Sequence, residues 1–349
     1  MIADPFSSRR CRVALLGFGT VGSAVARRLA ADDTPFQLTH IFDRRAAEKR
    51  RVAGLDSVAW TSNIDDVLQC DADIVVEAIG GVDPATAWIR TALTGGQSVV
   101  TANKQVIARH AAPLLALAAQ QGRQLRFEAA VGGAMPIVRA IGDGLAGDRI
   151  VAIDAILNGT TNAVLTAIET TGCSLDAAVC AAQALGYAEA DPAADLDGDD
   201  ARAKLAILCA LAFGLRVDPA MIGGRSCAST TAADFTRARR RGATIRQLAH
   251  ADYDRGTATL TAWVAPTEVA GTSLFGRTVG PQNAAIVTGE HSGEIGIFGV
   301  GAGGEATAVA ILSDVAAIAR DRAAIVPPPV LTANFVLQTP DFEPVEVAC

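Results

Sequence analysis

The chain has 349 residues, half of them hydrophobic and 19% charged, which suits one large or two modest domains and excludes a disordered chain. Its 30 basic and 37 acidic residues leave a net charge of −7, which argues against nucleic acid or an anionic membrane surface as a general partner. Seven cysteines without a CxxC spacing are no disulfide framework, no apolar run reaches the about twenty residues that span a bilayer, and the first residues lack a secretory core, so a reducing, cytoplasmic setting is expected.

In chain order, short apolar runs predict strands at Arg12–Leu16, Leu38–Phe42, Ile74–Glu77, Ser98–Thr101 and Leu125–Ala130. Helices are expected between them, at Thr20–Ala31, Ile64–Gln69, Pro84–Thr94 and Val106–Gln121, the last with Pro113 placed to kink it. Nearly continuous apolar strands alternating with helices imply a parallel sheet covered on both faces, an α/β domain of the doubly wound, Rossmann type. A Gly-rich helix start at Gly132–Gly133 is expected to follow, then a strand at Ile150–Leu157. Further on, Ser174 caps a helix that ends near Leu185, and another helix spans Asp199 to Gly214. Strands at Ala258–Val264, Ala284–Thr288 and Glu294–Phe298 precede a glycine loop and a last helix, Glu305–Ala319. This second pattern, mixed without strict alternation, predicts an α+β domain. The division expected is 1–135 for the dinucleotide domain, 136–302 for the catalytic domain, 303–325 for a helix returning to the first, and 326–349 for a proline-containing tail.

Chemistry enters at the first turn. Strand Val13–Leu16 runs into Gly17-Phe18-Gly19-Thr20-Val21-Gly22, which opens a helix. A bare GxGxxG is weak evidence in a glycine-rich chain, but its place between a buried strand and a helix makes it strong. Gly17 permits the tight turn, Gly19 lets the backbone approach a pyrophosphate, and Gly22 lets helix and strand pack closely. The helix N-terminus then offers free N–H groups to the phosphates. Twenty-one residues after Gly22, the second strand ends in Asp43-Arg44-Arg45. An acid there favours NAD through the ribose 2′-hydroxyl, whereas arginines favour NADP through its 2′-phosphate. Both are present, so NADP or dual use is expected, with NADP favoured.

A second dense segment holds five aspartates between Asp191 and Asp200, ahead of an apolar helix. Dipole compensation explains one or two of them, and the spacing does not match a calcium-binding EF-hand. Asp200 and Lys204 stand at i and i+4, on one face of a helix that continues with almost no polar residues. A lysine entering such burial needs a partner or a task. The four histidines, His40, His110, His250 and His291, are too scattered for a zinc site, and no cysteine sits in a nucleophile loop.

These motifs together resemble the homoserine dehydrogenases over about Arg12 to Arg320. The resemblance is carried by GFGTVG at Gly17–Gly22, TANK at Thr101–Lys104, FEAAVGGAMPI at Phe127–Ile137 and NGTTN at Asn158–Asn162, with LGYAEADPAADLDGDDARAK at Leu185–Lys204 and GVGAGGEATA at Gly299–Ala308. It implies NAD(P)-dependent interconversion of L-aspartate 4-semialdehyde and L-homoserine, a step in threonine, methionine and isoleucine synthesis. By the same resemblance Lys204 is the acid/base lysine, Asp200 its partner and Lys104 a second lysine of the site. Glu189 and Asp195 bind the polar end of the substrate beside Gly159 and Thr160, Thr101 and Gly301 lie by the coenzyme, and Glu128 with Val131, Gly133 and Met135 forms a monovalent-cation site for Na⁺ or K⁺. A homodimer or dimer of dimers is implied as well, with the α+β domain as the substrate-binding and dimerisation domain. The sequence departs from the pattern at Ala163, where the family has an aromatic, and it is short of the length for the C-terminal regulatory domain of longer relatives. Two rival readings follow: a dehydrogenase of the same architecture with another small aldehyde or amino alcohol, and a coenzyme-sensing protein without catalysis. A sensor would need none of Lys104, Glu189, Asp195, Asp200 and Lys204.

Overall fold

The structure is a computed structural model, and it describes residues 10–31, 34–189, 191–320 and 335–338. They divide into two compact units, one drawn from 1–134 and 303–330 and the other from 135–302 and 331–349.

The first unit is built on a six-stranded parallel sheet of β1 (Cys11–Leu16), β2 (Phe36–Phe42), β3 (Ala59–Thr61), β4 (Ile74–Glu77), β5 (Ser98–Thr101) and β6 (Leu125–Arg126). Their order is β3-β2-β1-β4-β5-β6. Helices α1 (Thr20–Leu29), α2 (Ala46–Ala53), α3 (Asp65–Leu68), α4 (Ala85–Thr94) and α5 (Lys104–Gln120) make the crossovers. This is the doubly wound order, and its direction reverses between β1 and β4. Register places Leu16 between Phe42 and Glu77, so all three strands end together at the switch point. There a ligand meets the carboxyl ends of the strands. Buried Val13, Leu15, Ile41, Ile74 and Val76 form the core, closed by Ile311 and Val315 from a late helix of the same unit.

The second unit contains α6 (Ile137–Arg139), β7 (Ile150–Ile156), α7 (Gly159–Thr171), α8 (Leu175–Ala184), α9 (Ala193–Leu196), α10 (Asp199–Phe213), β8 (Gly223–Gly224) and α11 (Ala232–Arg240). It continues with β9 (Ala243–Asp254), β10 (Thr259–Ala270), α12 (Leu274–Arg277), β11 (Gln282–Gly289) and β12 (Gly293–Val300). Helix α13 (Gly304–Arg320) then returns to the first unit and packs on α1, while β13 (Val336–Gln338) belongs to the second. Its sheet is mixed, ordered β12-β11-β7-β9-β10-β13 with β8 also on β10, antiparallel except where β13 and β8 join β10.

Several sequence expectations need correction. The run Leu125–Ala130 is a strand only to Arg126, and Glu128–Ala130 is a 3-10 turn that brings the Glu128 N–H to Asp314. No helix starts at Gly132–Gly133, since both glycines take positive φ and helical residues begin at Ile137. The strand expected at Ala258–Val264 is half of a long hairpin, for β10 runs to Ala270 and pairs with all of β9. Strand β9 escaped notice because Arg246 interrupts its apolar pattern, yet that side chain is fully buried. It bonds Glu169 at 2.8 Å and the carbonyls of Thr278 and Gly276. Helix α2 was missed for the opposite reason: it buries only Ala46 and has no apolar stripe to detect. Pro113 lies inside α5, which continues to Gln120. Of the expected tail, Phe335–Gln338 lie within the described residues.

Candidate functional site

Two groups of candidate residues take shape, one in each unit. In the first, the turn after β1 has Gly17 at φ +98°, where an added Cβ would stand 2.8 Å from the Ala78 carbonyl oxygen at the end of β4. A Cβ on Gly22 would meet the Gly17 oxygen at 2.1 Å, so helix and turn can approach this closely only with glycine. Gly19 differs: its Cβ would meet nothing. The protein's own packing does not require that glycine, and the open space is what a pyrophosphate would fill. Phe18, Thr20 and Val21 complete the turn and the start of α1.

Asp43 follows β2, and its carboxylate accepts from the Phe18 N–H at 3.0 Å and the Arg45 N–H at 2.9 Å. Lys49 on α2 also donates to it, at 2.5 Å, and to the Phe18 carbonyl at 2.8 Å. Burial pushes the Asp43 carboxyl up, but Lys49 and the two backbone N–H groups outweigh it and hold it below the ordinary value. Arg44 and Arg45 are exposed beside it.

The TANK segment spans the end of β5 and the start of α5. Thr101 is buried and donates to Glu77, whose other carboxylate oxygen accepts from the Ile79 and Gly80 N–H groups. Asn103 caps α5 through the Val106 N–H and donates to the Gly81 carbonyl at 2.6 Å. Lys104 is thus the first residue of a 17-residue helix. Glu128, 3% exposed, and the Val131–Gly133 turn also lie in this unit, while Met135 lies in the second.

In the second unit the Lys204–Asp200 pair is compact. Lys204 Nζ lies 2.7 Å from Asp200 Oδ2 and 2.8 Å from the Leu157 carbonyl oxygen. Both side chains are largely buried, 13% and 6% exposed, so the charges meet in a medium less screened than water. Asn158 ties the acids together: its Nδ2 donates to Asp200 Oδ2 at 2.8 Å and to Asp195 Oδ1 at 2.7 Å. Its Oδ1 accepts the Thr161 N–H and caps α7. The following Gly159 is packed so that a Cβ would lie 2.7 Å from the Pro281 oxygen. Thr160 donates to the Tyr187 carbonyl at 2.6 Å, and Gln183 donates to the Glu189 carbonyl at 2.9 Å, which orders the segment carrying the exposed Glu189. Ala163 lies on α7.

Gly301 reaches this group through Asn283. Its N–H donates to the Pro281 carbonyl, and a Cβ on it would lie 2.1 Å from Asn283 Oδ1. Asn283 is fully buried and donates at 3.2 Å to the same Leu157 carbonyl that receives Lys204. Sequence reasoning gave Asn158, which opens the NGTTN motif, no role of its own, and it missed Asn283, Glu77 and Lys49. Asn158 and Asn283 leave no periodic trace, and Lys49 was hidden in the undetected α2. Elsewhere, Cys209 and Cys227 have thiols pushed up to about 12 by burial, which removes them as nucleophiles. No helix among the described residues is long and apolar enough to cross a membrane.

Comparison with known proteins gives a uniform result. The family model described as homoserine dehydrogenase matches residues 136–316, and that described as homoserine dehydrogenase, NAD binding domain, matches residues 17–128. A homoserine dehydrogenase of Mycobacterium leprae is 40% identical over 329 residues, 90% of this chain and 73% of that one. Among solved structures, a homoserine dehydrogenase from Thiobacillus denitrificans superposes with a TM-score of 0.86 at 32% identity, covering 94% of this chain and 79% of that one. A hyperthermophilic archaeal homoserine dehydrogenase in complex with NADPH gives 0.71 at 26% identity, covering 90% and 99%.

Proposed function

We infer the roles of these residues from one premise: the chain belongs to the homoserine dehydrogenase family and is an NAD(P)-dependent oxidoreductase. The substrate pair is L-aspartate 4-semialdehyde and L-homoserine, in the service of threonine, methionine and isoleucine synthesis. A bound nicotinamide coenzyme supplies the hydride in one direction and takes it in the other. The observation that carries the assignment is Lys204, held by Asp200 and the Leu157 carbonyl in a largely buried site.

An ammonium has three N–H donors, and two are engaged here. The third is free to meet the aldehyde oxygen, where negative charge develops as the carbonyl is reduced. Lys204 then hands that oxygen its proton. In the oxidative direction the neutral amine takes the hydroxyl proton. Asp200 orients the ammonium. Glu189 and Asp195 receive the substrate ammonium, with Gly159 and Thr160 beside them, and Asn158 fixes Asp195 relative to Asp200. Lys104, the first residue of α5, is the second lysine of the site on the family resemblance.

The coenzyme would be held by Gly17, Phe18, Gly19, Thr20, Val21 and Gly22 at the pyrophosphate, by Asp43 and Arg44 at the adenosine ribose, and by Thr101, Lys104 and Gly301 near the nicotinamide. NADP is favoured, on the support of the exposed arginines and the already engaged Asp43. One buried carboxylate, Glu128, with main-chain oxygens of Val131, Gly133 and Met135 is a hard-oxygen donor set that suits Na⁺ or K⁺. A homodimer or dimer of dimers is supported by Phe298 and Val300, exposed on edge strand β12. The reading of a coenzyme sensor is not favoured, because it leaves the buried Lys204–Asp200 pair without a purpose.

The test is a spectrophotometric assay of L-homoserine with NAD⁺ and NADP⁺, with and without added K⁺ or Na⁺. Turnover is expected, and Lys204→Ala is expected to abolish it while coenzyme binding persists. Silence of the wild type with both coenzymes would overturn the substrate, and wild-type-like turnover of the variant would overturn the acid/base role.

A further inference from the structure

Asp43 ends β2 where an adenosine ribose is read in this fold, yet its carboxylate is already engaged. One oxygen accepts from the Phe18 N–H and from Lys49, and the other from the Arg45 N–H. Lys49 closes the arrangement by donating also to the Phe18 carbonyl. Side-chain exposures of 19% for Lys49 and 12% for Asp43 make this a mostly desolvated pair, unlike a surface ion pair. Of the four charged residues on α2, Glu48, Arg50 and Arg51 are exposed, and Lys49 alone turns inward to the glycine-rich turn.

The consequence is electrostatic. A carboxylate with free lone pairs accepts the ribose 2′-hydroxyl of NAD and repels the 2′-phosphate of NADP. Once paired with an ammonium and with three donors already on its two oxygens, it does both less well. The local balance becomes one carboxylate against Lys49, Arg44 and Arg45.

We propose that Lys49 is the positioning residue that sets coenzyme preference, by withdrawing Asp43 from the ribose and leaving this corner biased toward a 2′-phosphate. The inference rests on the reading of Asp43 and Arg44 as the ribose-reading residues, and it goes beyond that reading in assigning the discrimination to Lys49.

The experiment compares wild type, Lys49→Met, Lys49→Arg and the double variant Asp43→Asn/Lys49→Met. NADP⁺ and NAD⁺ are titrated by calorimetry without substrate, and KM and kcat are then measured with each coenzyme. Lys49→Met is expected to shift the affinity ratio toward NAD⁺ by about tenfold or more, as unpairing a hydrogen-bonded charge implies. The shift should fall on Kd and KM and leave kcat little changed. Lys49→Arg should keep the wild-type ratio, and the double variant should return toward it because no carboxylate remains to be unmasked. Equal weakening of both coenzymes in Lys49→Met, with its melting temperature retained, would overturn the proposal and leave Lys49 a structural staple. If Lys49→Met melts below the assay temperature, Lys49→Gln is expected to shift the ratio the same way, and an unchanged ratio there overturns the proposal equally. A wild type that prefers NAD⁺ would refute the NADP reading alone, since the shift on losing Lys49 is measured from whatever preference the wild type has.

Discussion

At the scale of single residues, the acids of the second unit are joined by one asparagine. Asn158 spends both amide hydrogens on Asp195 and Asp200 and its oxygen on the cap of α7. Without it, Asp195 and Asp200 lose the one amide that bridges them, while Asp200 keeps its pair with Lys204. Asn158→Ala is therefore expected to lower kcat/KM for homoserine by about 10- to 100-fold, with the loss shared between KM and kcat. The missing cap should cost a further ~1 kcal/mol of stability. Steady-state kinetics and urea unfolding check both. An unchanged KM would mean that Asp195 holds its place unaided.

At the scale of elements, strands β7 and β11 and the loop after β12 act as one support for Lys204. The Leu157 carbonyl, just past β7, receives Lys204 from α10 and Asn283 from β11. Gly301, one residue past β12, leaves the space that Asn283 occupies. Gly301→Ala would drive a methyl into that amide, displace it from Leu157 and loosen the lysine. A fall in kcat of about 100-fold is expected, since a shift near 1 Å has that effect on a positioned group, with binding of homoserine less affected. A variant with wild-type kcat would show that Leu157 needs no second donor.

On the scale of the whole molecule, acid is the condition that tests the fold. His40 on β2 has its pKa lowered by burial first and by Arg12 second, against an opposing contribution from Asp66. Its folded state therefore favours the neutral ring. The unfolded chain takes up the proton first, so this contribution is present above about pH 6.5 and is lost as pH falls through the lower folded value. Asp43, also lowered, acts in the same direction at more acid pH: its contribution is present above the ordinary carboxylate value and disappears as the folded carboxylate is protonated. The melting temperature should drop between about pH 7 and pH 5, and His40→Asn should flatten that slope. An identical slope in the variant would remove His40 from the account.

How much of this was legible depends on how local each cause is. The parallel sheet could be read because strands buried on both faces are continuous apolar runs, and Gly17 and Gly22 could be read because a backbone approach at a turn excludes every other residue. The Asp200–Lys204 pair was legible because four residues of helix place two side chains on one face. Arg246 and α2 defeated the same reasoning, one by burying a charge in a strand and the other by exposing a helix. Asn158 meets its acids 37 and 42 residues away, and Lys204 meets Leu157 47 residues away. Such bonds have no period and no spacing rule. The sequence by itself determined the architecture, the glycine turn and the pairing of Lys204 with Asp200 on one helical face, since propensity, burial pattern and helical geometry act over a few residues. Only the tertiary structure decided what holds that lysine and what occupies Asp43, because hydrogen bonds between distant segments exist only once both backbones are in place.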